Sequence, residues 1–131
     1  IGPAAAVLAL RHGLLDEARA TVETFCVDLD TDNWFSMFVW ATGAELAVGL
    51  GMPDLGAAAY ARLLPYRGTC IMSGTSPFHG PVDCYLALAA AGTGELGTAT
   101  RYADSGLAQV RAWQIPRVER WFLDQRERHG F

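Results

Sequence analysis

With 131 residues, 51% of them hydrophobic, the chain has the size of one domain and enough apolar side chains for a buried core, which excludes an intrinsically disordered segment. A formal net charge of −4 argues against direct nucleic-acid binding, because affinity for a phosphate backbone is carried by basic patches. All ten basic side chains are arginine, so no P-loop lysine or Schiff-base lysine exists here.

Ile1 in place of an initiator Met predicts a fragment or a processed product. Heavy use of Ala and Gly without any Lys predicts a high-GC bacterial source. Pro3 suits the first turn of a helix, since its missing N–H costs nothing there. The predicted helix runs from Ala4 to His12 and stops at Gly13. Its apolar start, Pro3 to Leu10, has no basic residues ahead of it and does not read as a signal peptide. A second helix spans Leu14 to Cys26, with Asp16 and Glu17 in the first turn, where the helix dipole favours acids. Leu15, Ala18, Val22, Phe25 and Cys26 fall on one face, giving a first hairpin.

Asp28-Leu29-Asp30-Thr31-Asp32-Asn33 places carboxylates at alternate positions, like the start of a calcium loop. Asn33 stands where that motif wants Gly, and Val39 where it wants the bidentate Glu, so a linker ending in an Asp32 or Asn33 N-cap is the better reading. Trp34 to Leu50 is a long helix, apolar nearly all round, and therefore buried on more than one side. Its apolar run is too short to cross a bilayer, which takes about 18 residues, and it contains Glu45. Gly51 ends the helix and Pro53 opens the next, Asp54 to Leu64, with Leu55, Ala58, Ala59, Tyr60 and Leu63 inward. Pro65 closes this second hairpin.

Arg67 to Gly80 reads as a long irregular segment, broken by Gly68, Gly74, Pro77 and Gly80; loops of this length are commonly functional. Pro81 to Trp113 then forms the most regular hairpin, two helices joined at Gly92-Thr93-Gly94. Ala99, Tyr102, Ala103, Gly106, Leu107 and Val110 make the inner ladder of its second helix. Pro116 starts a last amphipathic helix through Arg128, with Val118, Trp121, Phe122 and Gln125 inward.

Aligning Val22, Tyr60 and Tyr102 also aligns Gly13, Gly51 and Thr93, a recurrence of roughly 40 residues. The expected fold is therefore all-α: an α-solenoid of about three antiparallel hairpins plus a C-terminal helix, seven helices forming a single helical-repeat domain over 1–131. Gly13-Leu14-Leu15-Asp16-Glu17-Ala18, Leu50-Gly51-Met52-Pro53-Asp54-Leu55 with Leu63-Leu64-Pro65-Tyr66, and Gly80-Pro81-Val82-Asp83 through Leu88-Ala89-Ala90-Ala91 resemble the degenerate tetratricopeptide-like repeats of large actinobacterial regulators. In those proteins an ATPase module, sometimes preceded by an adenylate-cyclase-like domain, is followed by such repeats and often by a LuxR-type DNA-binding domain. The resemblance implies a cytoplasmic, non-enzymatic module of a transcriptional regulator or signalling ATPase. Its partners would be a protein or neighbouring domains of the same polypeptide. It carries over no catalytic residue.

Chemistry within the chain has few candidates. Ser73, Ser76, His79, Asp83 and Cys84 are the raw material of nucleophilic catalysis, but no nucleophile elbow surrounds either serine. Cys70, His79 and Cys84 have irregular spacing for zinc and no fourth ligand. Cys26, Cys70 and Cys84 form no C-x-x-C pair and read as buried reduced thiols of a cytosolic protein. No cofactor or metal is expected. Trp34, Phe35, Phe38 and Trp40 cannot all point inward from one helix, so Trp34 and Phe35 are candidate partner-surface residues. Phe78 and His79 join them if the chain is instead a small-molecule sensor, with a pocket under the 67–80 segment closed by Phe78 and Trp34.

Overall fold

The computed structural model describes residues 2–73 and 76–131; for Ser73, Ser76, Pro77 and Phe78 it describes the backbone. Within these residues the chain is all-α apart from one small sheet. The helices are α1 (Gly2–Arg11), α2 (Leu15–Phe25), α3 (Ser36–Leu50), α4 (Pro53–Leu63), α5 (Val82–Gly92), α6 (Leu96–Ala112) and α7 (Pro116–His129). Two antiparallel strands, β1 (Cys70–Ser73) and β2 (Ser76–Pro81), stand between α4 and α5.

Successive helices pair as antiparallel hairpins, α1 with α2, α3 with α4, and α5 with α6. The first helices of these pairs also touch in sequence, α1 on α3, α3 on α5, and α5 on α7, while α4 lies along α5.

One turn geometry joins the helices four times. Gly13, Gly51, Gly94 and Gln114 adopt φ of +76°, +66°, +83° and +57°. The residue after each is extended, with ψ between 67° and 82° at Leu14, Met52, Glu95 and Ile115. Their amides reach back to the carbonyls of Ala9 (2.9 Å), Ala47 (2.9 Å), Ala90 (3.0 Å) and Val110 (3.2 Å), closing each helix end in Schellman fashion. Their own carbonyls then accept the first helical bond of the next element, from Ala18, Gly56, Ala99 and Glu119. Glycine meets the left-handed requirement without strain at three of these turns.

Small residues recur in register with the three glycine turns. Ala6, Ala44 and Ala87 sit at one offset before the left-handed glycine and are fully buried. Ala18, Gly56 and Ala99 sit at one offset after it and are buried too. The register differs by one residue from the sequence alignment, which placed Thr93 at the third turn. Thr93 instead ends α5 in right-handed helical geometry, its hydroxyl donating to Ala90 O at 2.8 Å.

The core centres on α5. Every residue from Val82 to Ala90 is buried. Leu86 and Leu88 are fully enclosed, and burying each such side chain contributes about 1.5–3 kcal/mol. Helix α6 approaches closely at Gly106, where a Cβ would stand 2.7 Å from Cys84 Sγ and 2.9 Å from its backbone nitrogen. The predicted inner ladder of α6 is buried except at Tyr102, which is half-buried and meets Tyr60 edge-on at 6.0 Å.

Four expectations are corrected. Within the 67–80 segment, Cys70–Ser73 and the residues from Ser76 on pair as antiparallel strands rather than irregular chain, with register shifts on either side of Met72; β-branched Ile71 is fully buried. Helix α3 starts at Ser36, and Trp34 and Phe35 form the turn leading into it. On α2 only Ala18 is buried, while Leu15, Phe25 and the following Cys26 are exposed because no described element covers that flank of the first hairpin. Ala58 is exposed, the inward position on α4 being taken by Gly56.

Candidate functional site

Helix α3 carries one charged residue, Glu45, in an otherwise uncharged, mostly apolar and largely buried helix. It is 2% exposed. Burying a carboxylate is costly unless a cation and hydrogen bonds compensate it. Arg11, in the last turn of α1, supplies both, with Nε to Oε1 at 2.7 Å and Nη2 to Oε2 at 2.8 Å. This fork-to-fork pair ties the first hairpin to the second.

The same guanidinium lies 5.3 Å from the centre of the Trp121 ring, a cation–π contact reaching across to α7. Trp121 packs in turn on Tyr85 at 5.4 Å, and its Nε1 is buried without a hydrogen-bond partner among the described residues. Tyr85, fully buried on α5, donates its hydroxyl to the His79 carbonyl at 3.1 Å. The bond to Glu45 pushes the Arg11 guanidinium up from its ordinary value, against the burial that lowers it. Burial, then the charge of Glu45, pushes the Tyr85 phenol far up, so it stays protonated.

These groups stand at one side of a cleft of about 230 Å³ between α1, α3, α5 and β2. Ala4, Val7, Leu8, Phe38 and Ala41 line it with apolar surface, and Arg11, Thr42, Glu45, His79 and Tyr85 add polar groups. The His79 ring leans on Phe38, 4.8 Å between centres. Burial, reinforced by the charge of Arg11 and opposed by that of Glu45, holds its imidazole below the usual value.

The structure links three of the four surface residues expected from sequence. Trp34 packs on Phe35 at 4.0 Å, Phe35 meets Phe38 edge-on at 6.1 Å, and Phe38 meets His79. Trp34 is 68% exposed and Phe35 39% exposed. The side chain of Phe78 lies outside the described residues, so the closing of a pocket by Phe78 and Trp34 does too. Arg11, Glu45 and Tyr85 were not singled out from sequence. The signal for Glu45 was its isolation in an apolar helix, which requires a partner but does not name one.

The other candidates have structural work. Asp83 accepts the Gly68 amide at 2.8 Å and the Ser105 hydroxyl, latching the approach to β1 between α5 and α6. The Cys84 thiol is fully buried, and burial, then the charge of Asp83, pushes it far up from the ordinary range. That disfavours the thiolate needed of a nucleophile. The side chains of Ser73 and Ser76 lie outside the described residues. Cys26 is exposed and Cys70 half-buried, so of the three thiols only Cys84 meets the expectation of burial. Among the described residues, no group of three or more His, Cys, Asp or Glu side chains is placed to hold a metal ion.

The acidic linker is engaged within the fold. Asp28 Oδ1 accepts the Asp30 amide at 2.9 Å, Asp30 pairs with Arg62 at 2.8 Å, and Asn33 Oδ1 accepts the Phe35 amide at 2.8 Å. Trp40 Nε1 pins the linker by donating to Leu29 O at 2.9 Å. Asn33 thus braces the turn before α3, whose N-cap position is Phe35 with no side-chain cap, so neither Asp32 nor Asn33 caps the helix as expected.

Comparison with protein-family models, with curated proteins and with solved structures found no match.

Proposed function

We propose that this chain is a non-enzymatic helical-repeat module of a bacterial transcriptional regulator or signalling ATPase, acting in the cytoplasm through contacts with a protein or with neighbouring domains of the same polypeptide. The observation that carries this reading is the turn made four times in one geometry, with small residues in register at three of them. That is how a repeat array packs each unit on the next while leaving side chains free for partners. The contact surface is assigned to Trp34 and Phe35, stacked together and exposed on an inter-hairpin turn. Large exposed aromatic side chains of this kind are frequent anchors of protein interfaces. The buried thiol of Cys84 and the engaged carboxylate of Asp83 favour a binding role over a hydrolytic one.

A photo-crosslinking residue at position 34 of the full-length product tests this in cells. The expected result is a crosslink to a protein or to another domain of the same chain, together with altered regulatory output when Trp34 and Phe35 are both changed to Ser. No crosslink and unchanged output would refute it. An upstream P-loop ATPase or a downstream helix-turn-helix in the full-length product would support the regulator assignment, and a catalytic domain of another kind would overturn it.

A second reading, a small-molecule sensor, is favoured by one observation: the apolar cleft beside β2, lined in part by His79. Here the module would report the occupancy of that cleft to its neighbours.

A further inference from the structure

The cleft's chemistry narrows what it accepts. Its volume of about 230 Å³ is below the roughly 300–1,000 Å³ usual for drug-sized ligands, which points to a molecule of one ring or a short branched chain. Ala4, Val7, Leu8, Phe38 and Ala41 give it a continuous apolar wall. Glu45 and Arg11 are the lining residues that carry charge at neutral pH, and they are unequally accessible. The Glu45 side chain is 3% exposed, while that of Arg11 is 44% exposed. The carboxylate uses both oxygens on Arg11 and the Tyr85 hydroxyl interacts with the same guanidinium, so what the pair offers a ligand is the outer edge of Arg11 that stays in water.

That edge is already positioned. Glu45 grips two of its nitrogens and the Trp121 ring stands by its plane. An arginine fixed in this way loses little further side-chain entropy when a ligand arrives. The pair is neutral overall, but its cation is the exposed member and its anion the enclosed one, so beside these apolar walls it suits one negative charge on an apolar body. A phosphate dianion would leave oxygens stranded against Val7 and Leu8, and a sugar would find too few polar partners for its hydroxyls. A cationic ligand would meet Arg11 before reaching Glu45.

We infer that the cleft between α1, α3, α5 and β2 binds a small apolar monocarboxylate, its body against Val7, Leu8, Phe38 and Ala41 and its carboxylate on the outer edge of Arg11. The inference rests on the sensing reading of the cleft and adds the class of ligand. Leu8, 60% exposed at the cleft, is the lining residue whose replacement by a charged side chain disturbs the fold least.

Titration of the full chain with phenylacetate and with its neutral amide, phenylacetamide, followed by amide NMR shifts and calorimetry, tests this. Phenylacetate is expected to move resonances of Leu8, Phe38 and Thr42 and to bind about tenfold more tightly than the amide, a modest share of one charge-assisted hydrogen bond. Leu8→Glu, which also removes an apolar contact, should weaken phenylacetate severalfold more than it weakens the amide while leaving the melting temperature unchanged; Leu8→Arg should widen the preference for phenylacetate over the amide. Equal or tighter binding of phenylacetamide would overturn the carboxylate assignment yet leave a ligand-binding cleft standing. No shift at those resonances with phenylacetate at millimolar concentration would overturn the inference outright. Markedly tighter binding of N-acetylglycylphenylalanine than of phenylacetate would also overturn it, by assigning the cleft to a chain terminus instead of a free acid.

Discussion

Arg11 and Glu45 show how one buried charge organises its surroundings. The carboxylate is enclosed while its partner keeps one side in water, so the two members of the pair are not equivalent. Removing the arginine strands a buried anion, whereas removing the carboxylate leaves an arginine that rehydrates. Arg11→Met is therefore expected to cost about 3 kcal/mol, the low end for a broken buried pair because Arg11 is half-exposed. Glu45→Leu should cost about 1 kcal/mol or less. Urea unfolding of the two variants checks the ordering, and equal losses would contradict it. The sequence carried half of this arrangement. A lone Glu in Ser36–Leu50 demands a cation, but ten arginines are available, and choosing Arg11 needs the packing of α1 on α3. The exposure of Trp34 and Phe35 was legible because four aromatic residues within about two helical turns cannot all face inward. The cleft itself was not, since its walls come from four elements far apart in the chain.

At the scale of elements, helix positions followed from apolar periodicity and from the Gly and Pro punctuation, with ends moving by one or two residues. The β-hairpin escaped because Gly68, Gly74, Pro77 and Gly80 hide a strand whose alternation is also broken by bulges at Met72. The repeated turn was visible at Gly13 and Gly51 but not at Gln114, where no glycine marks it. Gln114 holds φ +57°, a conformation that costs an ordinary L-residue about 1 kcal/mol. Gln114→Gly is accordingly expected to stabilise the protein by about 0.5 kcal/mol or less, after the added flexibility of the unfolded chain is set against the relieved strain. Thermal unfolding measures this, and a lower melting temperature would show that the Gln114 side chain contributes more than its backbone loses.

At the scale of the whole molecule, two histidines couple stability to pH in one direction. Burial lowers His79 and His129 in the folded chain, helped by Arg11 in the first case and Arg128 in the second. In the unfolded chain both titrate near about 6.5. Between that value and the lower folded ones, the unfolded state binds more protons, so stability falls as pH drops below about 6.5 and levels off once the folded histidines also protonate. Melting temperature should be lower at pH 5.5 than at pH 7.5, and His79→Gln should shrink the difference; a slope unchanged in that variant would refute the assignment to His79.

The enclosure of α5 has a consequence for synthesis. Its neighbours α3 and α4 precede it in the chain, but α6 and α7, which cover its remaining sides, follow it. As the polypeptide leaves the ribosome, Val82–Ala90 emerges onto a partly built platform and stays bare on one flank until Leu96–Ala112 and Pro116–His129 have followed. During that interval a strongly apolar surface of the nascent chain is open to mispairing, and the pace at which α6 and α7 arrive sets how long it stays so.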